Sequence, residues 1–210
     1  HFGYRRQRQM CIRDRASAGI YDEDVIRPLD NPVYHQGSLA VLRGNLAPDG
    51  AVMKPAAAEA RLHKHTGPAI VFDSYKEMKA AVEDETLDVT ADHIMVFRNA
   101  GPVGGPGMPE WGMLPIPVKL VKQGVRDMLR ISDARMSGTS YGACILHAAP
   151  EAAIGGPLAL VKNGDMIAVD VAARTLDLLV DEAELQARKQ VWQPPEQIVS
   201  RGYHWMSAQH

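Results

Sequence analysis

The stretch IMVFRNAGPVGGPGMPEWG, residues 94–112, sets four apolar residues against a loop that carries five glycines and three prolines between residues 101 and 112. Ile94–Phe97 has the continuous apolar character of a buried strand, and the loop after it is no packing element, because glycine and proline punctuate it throughout. The arrangement recurs at residues 128–142, MLRISDARMSGTSYG, where Met128–Ile131 reads as a strand delivering a second loop of small and polar residues. Two strands that end in such loops are the anchor points for the rest of the chain.

Upstream, Pro28, Asn31, Pro32 and Gly37 punctuate an extended lead-in to an apolar strand at Leu39–Leu42. GNLAPDGAV at 44–52 is a turn-rich loop running into a short strand at Ala51–Met53, and Ala69–Phe72 is another buried strand. Ser74 with Glu77 three residues later predicts a capping box that opens a helix from Tyr75 to about Glu83. A second helix is expected around Pro117–Lys122. Downstream, Pro157–Val161, Met166–Val171 and Leu176–Val180, with a turn at Asn163-Gly164-Asp165, are expected as strands of an antiparallel meander. A helix capped by Asp181 and Glu184 and running to about Trp192 closes the pattern. Strands outnumber helices and the βαβ rhythm of a doubly wound sheet is absent, so the predicted fold is α+β, a mixed β-barrel or sandwich with a few flanking helices.

With 46% apolar and 23% charged residues over 210, the composition is that of a globular protein with a sizeable core. No run of about 18 apolar residues and no signal-peptide pattern occurs, which predicts neither a membrane span nor secretion, and a cytoplasmic location. The two cysteines, Cys11 and Cys144, are too few and too far apart for a disulfide framework or a CxxC metal site. The opening HFGYRRQRQMCIRDR has no period and holds five arginines against one aspartate, +4, which leaves 18 basic against 24 acidic residues, −6, elsewhere. A mildly acidic body argues against a nucleic-acid groove. Residues 1–15 are open to three readings: a basic tail, a disordered leader, or non-native sequence, RRQRQMCIRDR being similar to translated sequencing-adapter read-through. They are set aside from the fold.

The two loops, Gly101–Gly112 with Glu110 and Ser132–Gly142 with Asp133, Arg135, Ser137 and Thr139, are the candidate site, since loops on a rigid scaffold often carry function. Their glycines would let a backbone approach an anionic substrate; for any single glycine a tight turn is the more ordinary explanation. Neither loop is a P-loop or a GxGxxG fingerprint. Glu110 could donate an oxygen to Mg²⁺, while a lone loop carboxylate more often is solvated or pairs with an arginine. Ser137 is not in a nucleophile elbow, and no His–Asp pair announces itself beside it. His147 and Glu151 are four apart, but Pro150 breaks any helix that would align them as ligands, and His63 and His65 read as a solvated surface stretch.

At these positions the sequence resembles the dihydroxy-acid and 6-phosphogluconate dehydratase family. The matching stretches are GNLAPDGAV at 44–52, GPVGGPGMPEWG at 101–112, SDARMSGTSYG at 132–142 and APEAAIGGPLALVKNGD at 149–165, in the family's order, and the resemblance covers about residues 20–210. DARMSGTS is more similar to the sugar-acid branch, such as arabinonate and xylonate dehydratases, than to the DGRFSGGT-like string of the branched-chain dihydroxy-acid enzymes. The resemblance implies a swivelling barrel-like C-terminal domain of a hydro-lyase that converts a 2,3-dihydroxy sugar acid into a 2-keto-3-deoxy acid. It implies Ser137, as an alkoxide, for the base that takes the C2 proton, Gly138 and Thr139 for substrate binding, and Glu110 for one Mg²⁺ ligand. An iron-sulfur cluster, of the 2Fe-2S type in the sugar-acid branch, would act on the departing 3-hydroxyl.

The departures count too. In the family the cluster cysteines and the other Mg²⁺ ligands lie in a preceding N-terminal domain, and neither Cys11 nor Cys144 matches a cluster position. The expectation is a C-terminal fragment, residues 16–210, that folds without catalysing alone, from a parent enzyme that forms homo-oligomers and takes a small-molecule substrate. A branched-chain dihydroxy-acid dehydratase, a serine hydrolase or transferase using Ser137, and a noncatalytic swivelling or binding domain remain as alternatives.

Overall fold

Period-two alternation along the central strands sends successive side chains into two different cores. The structure, a computed structural model, describes residues 18–208 except 29, 34, 111–113, 139 and 197–199. The leader at 1–15 and Thr139 therefore lie outside the described residues. The described residues up to Gly37 form a unit of their own, in which the amides of Val25 and Ile26 donate to the Asp22 carbonyl at 3.3 and 3.0 Å.

From Ser38 onward eight strands build one mixed sheet: β1 (Ala40–Leu42), β2 (Gly50–Met53), β3 (Lys64–Phe72), β4 (Ile94–Phe97), β5 (Arg130–Ser132), β6 (Cys144–Ala149), β7 (Met166–Asp170) and β8 (Thr175–Leu178). Their spatial order is β1-β2-β6-β5-β4-β3-β7-β8. The central run β3, β4, β5, β6 is parallel, and the flanking pairs are antiparallel. Helix α1 (Tyr75–Glu83) connects β3 to β4, α2 (Val118–Lys122) lies between β4 and β5, and α3 (Glu182–Val191) and α4 (Gly202–Ala208) come after β8. No described helix is long and apolar enough to cross a membrane.

All four residues of β4 are buried, which is why the stretch reads as an unbroken apolar run. Ile94 and Val96 join Leu42, Ile131, Ile145 and Leu176 in one core. Met95 and Phe97 face the other way, against Phe72, Met78 and Val82 of α1 and Leu120 of α2. Met78 and Val82, four apart, form the buried stripe of α1. The Ser74 hydroxyl accepts from the Glu77 amide at 3.2 Å, while the Glu77 carboxylate turns back to the Asp73 amide at 3.1 Å.

The sheet nearly closes on itself, and the GNLAPDG loop makes the closure. The Arg43 amide donates to the Arg174 carbonyl and the Leu176 amide to the Arg43 carbonyl, both at 2.9 Å. The Asn45 side chain then continues the ladder along β8: its Nδ2 donates to the Leu178 carbonyl at 2.8 Å and its Oδ1 accepts from the Leu178 amide at 2.6 Å. One carboxamide thus substitutes for a strand partner along what would otherwise be an open edge.

The α+β, barrel-like expectation stands, with local corrections. Pro157–Leu160 is a 3-10 helix, not a strand, since Pro157 presets a helical φ at its first position. Strand β6 was unforeseen; its small residues Ala148 and Ala149 give no β-branched signal, and His147 within it takes a positive φ of 55°. Strand β3 starts at Lys64, so His65 is a ladder residue opposite Val169 and not part of a merely solvated stretch. Asp181 makes no side-chain cap; Glu184 bonds Arg188 at 2.8 Å and Lys162 at 3.3 Å instead. The sheet as a whole is not doubly wound, yet β3-α1-β4 and β4-α2-β5 are local parallel crossovers, hidden in the sequence by the shortness of α2. Replacing Asn45 by Ala leaves both backbone groups of Leu178 without these partners, so Asn45→Ala is expected to lower stability by about 1–3 kcal/mol in urea denaturation; an unchanged midpoint would deny the side chain its part in closure.

Candidate active site

Because β4 and β5 are parallel neighbours, the segments that leave them emerge on the same edge of the sheet, and both candidate loops start there. A buried carboxylate joins them. Asp133, 2% exposed, is the first residue after β5, and its oxygens accept from the amides of Asn99 at 3.2 Å, Ala100 at 2.9 Å and Ala152 at 2.9 Å. Burial pushes its carboxyl above the ordinary value, against the pull of those amides.

Glu151 performs the same task on the next stretch of the glycine-proline loop. It accepts from the amides of Val103 at 2.9 Å and Gly104 at 3.3 Å. Burial pushes it upward, and the negative charge of Asp133 adds to this. Gly101 lies directly over it: a Cβ there would sit 2.2 Å from Glu151 Oε2. This glycine is required by close packing on Glu151, not by a positive-φ turn.

The serine loop is held at several of its described residues. At its start the Ser132 hydroxyl accepts from the Ala134 amide at 3.0 Å. Farther along, the Met136 amide donates to His147 Nε2 at 2.8 Å, which fixes His147 as the neutral tautomer protonated at Nδ1. The Ser137 amide donates to Ser140 Oγ at 3.1 Å, and the Ser140 amide returns to the Ser137 carbonyl at 3.2 Å. Lys54, the residue after β2, donates from Nζ to the Ser137 carbonyl at 2.8 Å and the Gly138 carbonyl at 3.0 Å. At the far end Arg130, paired with Asp127 at 3.0 Å in a fully buried ion pair, donates to the Tyr141 carbonyl at 3.0 Å. The Asp127 carboxylate accepts from the Ala143 amide at 2.9 Å.

Ser137 is half-buried and Gly138 is exposed. A Cβ at Gly138 would meet nothing within 4 Å, and its φ is not in the left-handed region, so nothing among the described residues calls for glycine there. Glu110 is exposed and pairs with Arg135 at 3.3 Å, while Arg135 Nε donates to the Met108 carbonyl at 2.9 Å. The arginine therefore links the two loops and brings Glu110 to the serine loop. Pairing with an arginine is also the ordinary fate of a lone loop carboxylate.

Glu110 fits a metal as one oxygen donor and no more: no group of three His, Cys, Asp or Glu side chains that could hold a metal occurs among the described residues. Cys144 is buried, its Sγ donates to the Tyr141 carbonyl at 3.4 Å, and burial pushes its thiol upward. The described residues therefore do not fit an iron-sulfur cluster. His147 and Glu151 are not co-ligands but serve different loops. A cleft of about 420 Å³ lies elsewhere, between α3 and the Pro157 turn, and its arginines are already engaged, Arg98 with Asp73 and Arg188 with Asp165. Lys54 and the buried role of Glu151 escaped the sequence reading; neither sits in a motif whose spacing announces it.

The family described as dihydroxy-acid/6-phosphogluconate dehydratase C-terminal matches residues 24–210. The chain is 57% identical over 198 residues to 6-deoxy-6-sulfo-D-gluconate dehydratase of Pseudomonas putida, covering 93% of this chain and 34% of that protein. It is 56% identical over 168 residues to L-arabonate dehydratase of Azospirillum brasilense, covering 80% and 29%. With dihydroxy-acid dehydratase of Methanoregula boonei it shares 49% over 178 residues, covering 85% and 32%. The chain thus spans about a third of the length of the curated relatives it matches.

The Met136–His147 bond carries a pH dependence of definite sign. Burial, and then the positive charge of Arg135, hold His147 below its ordinary value, so the unfolded chain binds its proton first and stability falls as pH drops through about 6.5 toward the folded value. The stability advantage of the wild type over His147→Gln is expected to be full at pH 7.5 and to shrink by pH 5.5. A constant difference across that range would contradict this.

Proposed function

The chain belongs to the dihydroxy-acid/6-phosphogluconate dehydratase family, whose C-terminal part it matches, and from that premise we propose that it forms part of a hydro-lyase acting on a sugar acid. The reaction removes water from a 2,3-dihydroxy acid: the C2 proton and the C3 hydroxyl leave, and the enol formed tautomerises to the 2-keto-3-deoxy acid. The observation that carries the proposal is the serine loop itself. Ser137 sits at the tip of a segment pinned on both sides, beside a glycine that nothing among the described residues calls for.

In this mechanism the Ser137 alkoxide takes the C2 proton and becomes the hydroxyl, which must lose that proton to solvent before the next turnover. A serine hydroxyl is a weak base near neutral pH, so positive charge close to it is required. Gly138 leaves room above the loop for the substrate carboxylate, and Thr139 assists in binding it. Glu110 would contribute one carboxylate oxygen to Mg²⁺. When present, Mg²⁺ and an iron-sulfur cluster would supply the electrophilic chemistry on the acid and on the departing hydroxyl. The other ligands of Mg²⁺, and all the ligands of the cluster, would come from the part of such enzymes that these residues do not include.

Relatives named for sugar acids match at 50–57%, against 45–49% for those named for dihydroxy acids, which favours an aldonic acid. The test is to assay the full-length protein, purified anaerobically with Mg²⁺, for 2-keto acid formation from a panel of aldonic acids and 2,3-dihydroxyisovalerate. Turnover of an aldonate that falls by roughly 10²–10⁴ in Ser137→Ala is expected. Turnover of the branched-chain acid alone would overturn the substrate assignment, and an active Ser137→Ala would return the residue to an ordinary loop serine. Gly138→Ala is expected to fold with stability unchanged or raised by up to about 1 kcal/mol, yet to lose activity through KM; unaltered KM would remove Gly138 from the substrate site.

A further inference from the structure

Lys54 belongs to neither loop, yet its ammonium binds the two carbonyls that flank the Gly138 amide and α-carbon, Ser137 at 2.8 Å and Gly138 at 3.0 Å. Its placement is set by the sheet. Strand β2 runs antiparallel to β6 with Met53 opposite Ile145, so the residue after β2 reaches the loop that precedes β6. Among the described residues no carboxylate forms an ion pair with Lys54. The acids nearby are engaged: Asp127 with Arg130, Asp133 with three amides, Glu110 with Arg135.

A trans peptide holds its N–H antiparallel to its C=O, so fixing the Ser137 carbonyl on Lys54 aims the Gly138 amide away from the ammonium. A standing positive charge close to a hydroxyl also favours its ionised form. The other cations around the loop, Arg130 and Arg135, are each neutralised by a carboxylate, at 3.0 and 3.3 Å. His147 accepts a hydrogen bond and is neutral, and the Cys144 thiol is buried and protonated. Among the described residues, the positive charge at the serine loop without a carboxylate partner is that of Lys54.

Resting on the dehydratase reading above, we propose that Lys54 is the positioning residue of the base: it fixes the peptide planes around Gly138 and supplies the positive charge against which the Ser137 hydroxyl ionises. The test uses the full-length protein with Lys54→Met, Lys54→Arg and Ser137→Ala, kcat and KM being measured on the active aldonate from about pH 6 to 9.5. Lys54→Met is expected to lose roughly 10-fold or more in kcat with KM little changed, and to shift the alkaline rise of kcat upward by about 1–3 pH units; Lys54→Arg is expected to return the profile toward that of the wild type. A fall in kcat without a shift of the profile, or no fall at all, would overturn the proposal while leaving the dehydratase reading intact, provided Ser137→Ala is inactive. An active Ser137→Ala, or a wild type without dehydratase activity, would sink the reading and this proposal with it. Should Lys54→Met fail to fold by circular dichroism, Lys54→Gln is judged by the same profile.

Discussion

Three backbone amides converge on one buried carboxylate, and the geometry of the edge that carries both loops depends on it. Asp133 accepts from Asn99, Ala100 and Ala152, residues that lie just past the end of β4, immediately before the glycine-proline loop, and in the turn after β6. A peptide amide buried without a partner costs about 1–3 kcal/mol, so a single side chain removes three such penalties while fixing three segments to one another. Glu151 extends the device along Val103 and Gly104. Two acids side by side would repel if both were fully charged and unpaired, and both are pushed upward by burial. The amides aimed at them make the arrangement tolerable.

The sheet explains why these segments meet at all. Parallel β4 and β5 send their loops out on one edge, while antiparallel β2 brings Lys54 to the same place from the opposite direction. Closure by Asn45 along β8 holds the flanking strands around a common core, so the loops stand on a scaffold with little freedom to shear. The serine loop inherits that rigidity through His147, Lys54 and Arg130, and Gly138 is left as its exposed tip. Precise placement of a base and room above it are what proton abstraction from a small acid requires.

Much of this was legible in the residues. The apolar run at 94–97, the capping box at Ser74 and the two glycine-bearing loops are local signals, and each predicted element of that kind is present. Strand β6 was not, because Cys144, His147 and two alanines give no strand signature until a neighbour offers a ladder. Pro157–Leu160 misled in the other direction, since apolar residues beside a proline fit a strand and a tight helix equally well. The candidate site was read from motifs, and its supports were not. Asp133 stood out only as a polar loop residue, Glu151 only as half of a discarded ligand pair, and Lys54 as nothing in particular. Each acts across a sequence separation of between 19 and 84 residues, which no local spacing encodes.

If Ser137 is the group that takes the C2 proton from a sugar acid, this domain is the holder of the base, and loss of that one hydroxyl must slow the proton's departure. The most direct measurement is the release of label from an aldonate deuterated at C2, observed in the full-length protein and in Ser137→Ala. The prediction is a primary isotope effect in the wild type and label release slowed by at least about 100-fold in the variant. Release at an undiminished rate without the serine hydroxyl would contradict it.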